Sequence, residues 1–196
     1  WRVIQTNVKS FYWGVDGVDE DDILYVEREE SHGSTKLLKS NDYYNGNIEE
    51  VFGFSKDIQV INKYIFATRS INRKNDSLEL WVSVDRNPFR KAMIPLDVPI
   101  RDFFIADASE DAVLLCVTYN RTQTDLFVSD YSGVVYSLSL PSVVYLNPDL
   151  EPDTAFLMRG VLEPFADVHK VEGLSGIYIA SVEEKISFNS NITGLK

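Results

Sequence analysis

Three serine–aspartate pairs recur along this 196-residue chain: Ser40 with Asp42, Ser83 with Asp85, and Ser129 directly before Asp130. A hydroxyl and a carboxylate this close accept hydrogen bonds from N–H groups that a tight turn leaves unpaired. The chemistry is that of a turn and supplies no catalyst. Other reactive residues are sparse. Cys116 is the only cysteine, so the chain holds no internal disulfide and no thiol-based metal site. It reads either as a small buried hydrophobe or as half of a bridge to a segment outside the chain. His32 precedes Gly33 in an expected hairpin turn, and His169 falls on an expected strand. Imidazole is the side chain suited to sensing mild acid, which makes His169 the pH-switch candidate; both histidines also read as plain surface or strand residues. HExxH, GxSxG, P-loop and zinc-ligand spacings are absent from the sequence, and no cofactor is expected.

The elements that carry these pairs repeat with them. The serines stand 43 and 46 residues apart, near the roughly 40–50 residues of a four-stranded propeller blade. Each pair follows a short apolar run, at 23–26, 64–67 and 114–117, and a fourth such run lies at 176–180. Runs this short, bounded by polar turns, suit strands buried on both faces. One step earlier come 10–15, 56–61, 101–106 and 166–171, which read as the first, inner strands of successive blades. The expected fold is all-β: a β-propeller segment of about three blades plus part of a fourth. Approximate blades are 8–53, 54–98 and 99–146, with a loop insertion at 147–165 and the start of the next blade over 166–196.

The insertion follows from spacing, because Phe103 and Val168 lie 65 residues apart against 45 from Ile58 to Phe103. Loops longer than about 12–15 residues in compact domains are often functional. Phe156, Leu157, Met158 and Leu162 give this one an apolar patch. Two readings fit: a ligand-contacting loop over the propeller tunnel, or packing on a neighbouring blade.

Propellers protect their sheet edges by closing a ring, so three and a part blades form an arc of a larger one. Trp1, with neither initiator Met nor signal peptide, fits excision from a longer product. No run approaches the roughly 18 apolar residues of a membrane span, which places any membrane attachment outside the segment. Sequons at Asn75, Asn120 and Asn191 fall in expected turns or a polar tail and point to secretory processing with N-glycosylation. A net charge of −11 argues against nucleic acid as partner and favours basic peptides. Acidic clusters such as 18–22 and 27–30 also serve simply as solvated turns.

Longer motifs narrow the reading further. The stretch Ile105-Ala106-Asp107-Ala108-Ser109-Glu110-Asp111 and residues 163–180, containing Phe165-Ala166-Asp167-Val168-His169-Lys170-Val171-Glu172-Gly173-Leu174-Ser175-Gly176-Ile177-Tyr178-Ile179-Ala180, resemble the luminal ten-bladed propeller of the sortilin family. Similar pieces at 10–16, 64–68, 80–83, 127–129 and 137–140 carry the resemblance through essentially the whole chain. It implies a single-pass sorting receptor of Golgi, endosomes and cell surface. Such a propeller captures peptides, propeptides or proteins, and a cytoplasmic tail outside this segment recruits sorting adaptors. In sortilin a peptide carboxylate is held near a Phe-Ala-Ser stretch and by an arginine on the adjoining strand. Phe66-Ala67-Thr68 matches the first element, which makes Phe66 and Thr68 ligand-binding candidates, although Phe66 also reads as a core aromatic. The arginine position falls on Leu78, so the carboxylate clamp is not carried over; Arg69 and Arg73 lie in the nearby turn.

Two other classes share the pattern. The full Ser-x-Asp-x-Gly-x-x-Trp motif is the Asp box of sialidases and related propellers, eroded here to Asn87 and Phe89 in the second copy and Gly133 and Tyr136 in the third. A sialidase-like site needs arginines converging on a carboxylate beside a tyrosine nucleophile and an acid, unlike the usual pair of carboxylates. Arg2, Arg28, Arg69, Arg86, Arg101 and Arg159 are scattered instead, so the chain is read as non-enzymatic. A purely structural adhesion propeller is the remaining alternative.

Overall fold

The computed structural model describes residues 1–71, 77–119, 123–148, 150 and 163–183. Its apolar runs, rich in β-branched and aromatic residues and separated by Gly, Asn, Asp and Ser, form strands. β1 (Val8–Trp13), β2 (Leu24–Glu29), β3 (Thr35–Ser40) and β4 (Glu49–Ser55) pair antiparallel in chain order. The same unit returns as β5 (Asp57–Ile61), β6 (Tyr64–Ser70), β7 (Leu78–Val84) and β8 (Arg90–Lys91). It returns again as β9 (Ile100–Glu110), β10 (Ala112–Tyr119), β11 (Gln123–Ser129) and β12 (Tyr136–Leu140). Then β13 (Tyr145–Leu146) pairs with β14 (Phe165–Ala166), and β15 (Val168–Lys170) with β16 (Tyr178–Ala180). Four-stranded meanders repeated side by side are propeller blades. The chain is thus a propeller segment of three full sheets, followed by the hairpin that opens a fourth.

The second strand of each sheet carries an apolar run buried on both faces, and in the second and third sheets its side chains alternate between two neighbours. On β6, Ile65 and Ala67 face the first sheet and meet Tyr25, Leu37 and Phe52, while Tyr64 and Phe66 face the third sheet with Leu115, Val117 and Phe127. On β10 the alternation repeats: Val113, Leu115 and Val117 face back, and Leu114 and Cys116 face forward onto Val143, Ala166 and Val168. Cys116 is a free, buried thiol, packed with Leu114, Val143 and Ala166, and burial pushes its pKa up to about 12, as for a small core hydrophobe.

Each serine–aspartate pair ends the third strand of its sheet. Ser40 Oγ donates to Asp42 Oδ1 at 2.7 Å and accepts the Tyr44 N–H at 2.9 Å, and Asp42 accepts N–H bonds from Asn45 and Asn47 at 3.0 and 3.1 Å. Ser129 Oγ donates to the Asp130 carbonyl at 2.9 Å, while the Asp130 carboxylate accepts the N–H and hydroxyl of Ser132. In the middle copy Ser83 Oγ donates to the Asn87 carbonyl at 2.6 Å, and Asp85 takes part through its backbone, donating to the Lys63 carbonyl. The aromatic residues after the second and third turns cover the sheet behind. Phe89 packs on Phe52 of the first sheet in a tilted arrangement at 4.4 Å, and Tyr136 lies in the core shared with Tyr64.

Candidate functional site

Successive strands reverse direction, so the turns of each sheet sort to two ends. First-to-second and third-to-fourth turns, including all three serine–aspartate turns, lie at one end. Second-to-third turns and the links between sheets lie at the other, called here the loop end. The first strands stand side by side: Lys9 of β1 reaches Asp57 of β5 at 2.6 Å, Asn62 after β5 donates to the Ala108 carbonyl of β9, and Lys170 of β15 pairs with Glu110 of β9 at 2.9 Å. In a propeller these strands form the inner wall.

The residues before and after the insertion are fixed at the loop end of that wall. Asp102 of β9 accepts bonds from the Tyr145 hydroxyl and the Asn147 amide, both at 2.5 Å. Burial and the neighbouring Asp102 carboxylate raise the Tyr145 phenol well above its ordinary value. Phe104 packs on the Tyr145 ring at 5.7 Å, and β13 closes onto β14 just before β15 begins. The stem of the insertion is therefore tied to two adjacent first strands. His169 lies beside it on β15 with 59% of its side chain exposed, and its Nε2 lies 2.8 Å from Asp167 Oδ1. Hydrogen bonds from Ser181 and His169 hold the Asp167 carboxyl below its usual value. The Phe165 ring is 6.0 Å from the imidazole.

The same end carries a concavity of about 820 Å³ lined from the first, second and third sheets. The turn at 30–34, the link at 53–56, Ile71, Leu78, Arg101 and Leu150 form its walls. Leu150, three residues past Asn147, brings the start of the insertion to its edge.

The residues singled out in the sequence divide among these places. Phe66 is 2% exposed, with its ring stacked on Tyr64 at 5.5 Å, which gives it the core role rather than a ligand-facing one. Thr68 is buried too; its hydroxyl donates to the Asp57 carbonyl at 3.4 Å, and its carbonyl accepts the Ser55 hydroxyl at 2.8 Å. Leu78 is buried and faces the third sheet with Leu80 and Val82. Arg69 turns the other way: its guanidinium lies 4.2 Å from the Phe52 ring centroid and donates to the Gly53 carbonyl at 2.7 Å. Arg69 thus bolts the first two sheets together, on the face opposite Leu78. Phe156, Leu157, Met158 and Leu162, and the sequons at Asn75, Asn120 and Asn191, lie outside the described residues, as does Arg73.

Sequence reasoning missed Glu27, a carboxylate only 1% exposed between β1 and β3. It accepts bonds from Ser10, Thr35 and Lys9 at 2.7, 2.9 and 3.2 Å. Its place in an acidic run, 27–30, disguised it as a solvated charge. The alternation itself held the clue, since Tyr25 and Glu27 share a face and Tyr25 is in the core.

Comparison with known proteins agrees with this architecture. The family model described as Sortilin, neurotensin receptor 3 (Sortilin-Vps10) matches residues 1–193. The Sortilin-related receptors of Mus musculus and Homo sapiens are each 39% identical over 188 residues, covering 93% of this chain. The Vacuolar protein sorting/targeting protein 10 of Phaeosphaeria nodorum is 26% identical over 195 residues, 93% of this chain and 12% of its own length. The chain spans only 8% of the length of the two receptors. On the match over nearly all its residues, the chain belongs to the Sortilin-Vps10 family.

Proposed function

We propose that the chain is part of the luminal or extracellular propeller of a sorting receptor, where it captures peptides, propeptides or proteins for transport between Golgi and endosomes. One observation carries this reading beyond family membership: the stem of the insertion is anchored by Asp102 to the loop end of the inner wall. That anchorage suits a ligand-contacting loop at the tunnel mouth, with Phe156, Leu157, Met158 and Leu162 as its apolar contacts. An extended peptide would add to the exposed edge of a first strand, main-chain bonds giving affinity and side-chain pockets selectivity. Cytoplasmic adaptors would engage a tail outside this chain, and Asn75, Asn120 and Asn191 would carry glycans. His169, exposed on β15 beside the Asp167 carboxylate, is the proposed acid-release switch.

A non-enzymatic role has physical support as well. Arg86 is committed to Asp19, Arg28 to Glu30 and Arg69 to Phe52 and Gly53. Each holds structure where a sialidase-like site would need its arginines converging on substrate.

The test is calorimetric titration of the full-length protein with a propeptide and its scrambled control at neutral and endosomal pH. Saturable, sequence-dependent binding that weakens in acid is expected. Binding at neither pH leaves a scaffold as the better reading. A His169→Gln protein should keep its ligand further into acid; release at the same pH as wild type removes His169 from the mechanism.

A further inference from the structure

The first serine–aspartate turn holds a reactive pair of residues. Asn45, within it, is the one asparagine of the chain followed by glycine. Asn7, Asn41, Asn47 and Asn62 precede residues whose side chains crowd the next backbone nitrogen, and Asn87 and Asn147 precede proline, which has no N–H. Asn45 and Gly46 are both exposed. The hydrogen bonds of the turn pass Gly46 by. Asp42 Oδ1 accepts the Asn45 N–H and Oδ2 accepts the Asn47 N–H, at 3.0 and 3.1 Å, while the Gly46 N–H between them has no partner among the described residues. A methyl group on Gly46 would meet only Asp42 Oδ2, at 3.8 Å, so the space around it is open. The Asn45 side chain is folded back onto the turn: Nδ2 donates to the Asp42 carbonyl at 2.5 Å, and Oδ1 accepts a bond from the Arg2 guanidinium. A cation in that place stabilises negative charge gathering on Oδ1.

We infer that Asn45 is a site of spontaneous covalent modification, converting to aspartate and isoaspartate through a cyclic imide. The Gly46 nitrogen gives its proton to hydroxide and attacks Asn45 Cγ. The N–Cγ bond forms, the Cγ–Nδ2 bond breaks, and Nδ2 takes a proton from solvent and leaves as ammonia. Water then adds to either carbonyl of the five-membered ring. Opening on one side gives aspartate, and on the other isoaspartate, in which the main chain runs through the former side chain. The net change consumes water and releases ammonia, with nothing oxidised or reduced. Either product sets a carboxylate near that of Asp42, where like charges repel. Isoaspartate also lengthens the main chain inside the turn that seats Tyr44, a buried residue whose hydroxyl bonds the Leu24 and Leu38 carbonyls at 3.2 and 2.9 Å. The modification therefore acts on the packing of the first sheet as well as on its charge.

The test incubates the full-length protein at neutral and mildly alkaline pH and follows every asparagine-containing peptide by liquid chromatography and mass spectrometry. The peptide spanning Asn45 should be the first to gain the mass of amide-to-acid conversion. It should do so faster at the higher pH, and resolve into separate aspartate and isoaspartate species. Gly46→Ala, which the open space accommodates, should slow the conversion at least about tenfold, a barrier higher by about 1.4 kcal/mol. Arg2→Gln should slow it by a smaller factor. Unchanged melting temperatures will confirm that both variants start folded. Faster conversion at another asparagine, aspartate without isoaspartate, or a rate indifferent to Gly46→Ala overturns the inference.

Discussion

Asp19 and Arg86 show how single residues lock neighbouring blades. The Asp19 side chain is 1% exposed and that of Arg86 14%. Two bonds of 2.8 and 2.5 Å join them across the first and second sheets, with the Tyr25 hydroxyl and the Val15 N–H also donating to Asp19. Burial alone would raise the Asp19 pKa, but those donors outweigh it and hold the value at about 2. A depressed carboxyl contributes stability above its unfolded pKa, near 3.8, and loses that contribution as pH falls through about 2. An Asp19→Asn protein should therefore be less stable than wild type at pH 5 to 7, with the gap narrowing between about pH 4 and pH 2. Denaturant melts at each pH would show it, and a constant gap would contradict the pairing. Arg86→Ala leaves the buried carboxylate uncompensated and should cost about 3–5 kcal/mol.

At the scale of the element, the serine–aspartate turns and the residues they present set how closely sheets approach. Gly133 in the third turn has φ 64°, and a methyl group there would sit 3.1 Å from Val82 Cγ1 and 3.3 Å from the Tyr64 ring of the preceding sheet. Gly133→Ala combines a left-handed backbone with an interblade clash and should lower stability by about 1–3 kcal/mol. For a chain of this size that is about 2–4 °C in Tm per kcal/mol, and a thermal melt identical to wild type would refute it. Elements of this kind were legible in the sequence because they are local. The period of Ser40, Ser83 and Ser129 and the apolar runs beside them each follow from one turn or one strand. What one sheet does to its neighbour was not legible. Phe66 matched a ligand-binding stretch yet faces the third sheet, and Arg69 faces Phe52 while Leu78, its pairing partner's neighbour one position from Glu79, faces the opposite way. Lys56 and Arg101, 45 residues apart in sequence, likewise line one concavity only once two first strands are set side by side.

At the scale of the molecule, the alternation that buries both faces of the inner sheets leaves two faces open. Phe11 and Trp13 pair with Val26 and Leu24 on β2, and these four share the face of the first sheet that looks away from the second. Phe11 is 61% exposed and Trp13 is 59% exposed. At the other end Tyr178 turns back to Asp107 of the third sheet with a 2.8 Å bond, so Ile177 and Ile179 point outward, 50% and 66% exposed. Stacked repeats draw their stability from the interface with the next repeat, and apolar faces of this kind favour association when nothing covers them. Residues 1–196 expressed alone should therefore sediment as a concentration-dependent mixture of assemblies. Replacing Phe11, Trp13, Ile177 and Ile179 together by serine should shift the mixture toward monomer while the antiparallel β signal in circular dichroism is kept, because none of the four contributes to the cores between sheets. A wild-type segment that runs as a monomer at every concentration and melts in one cooperative step would show that these faces need no covering, and the blades would then owe their stability to the three internal interfaces alone.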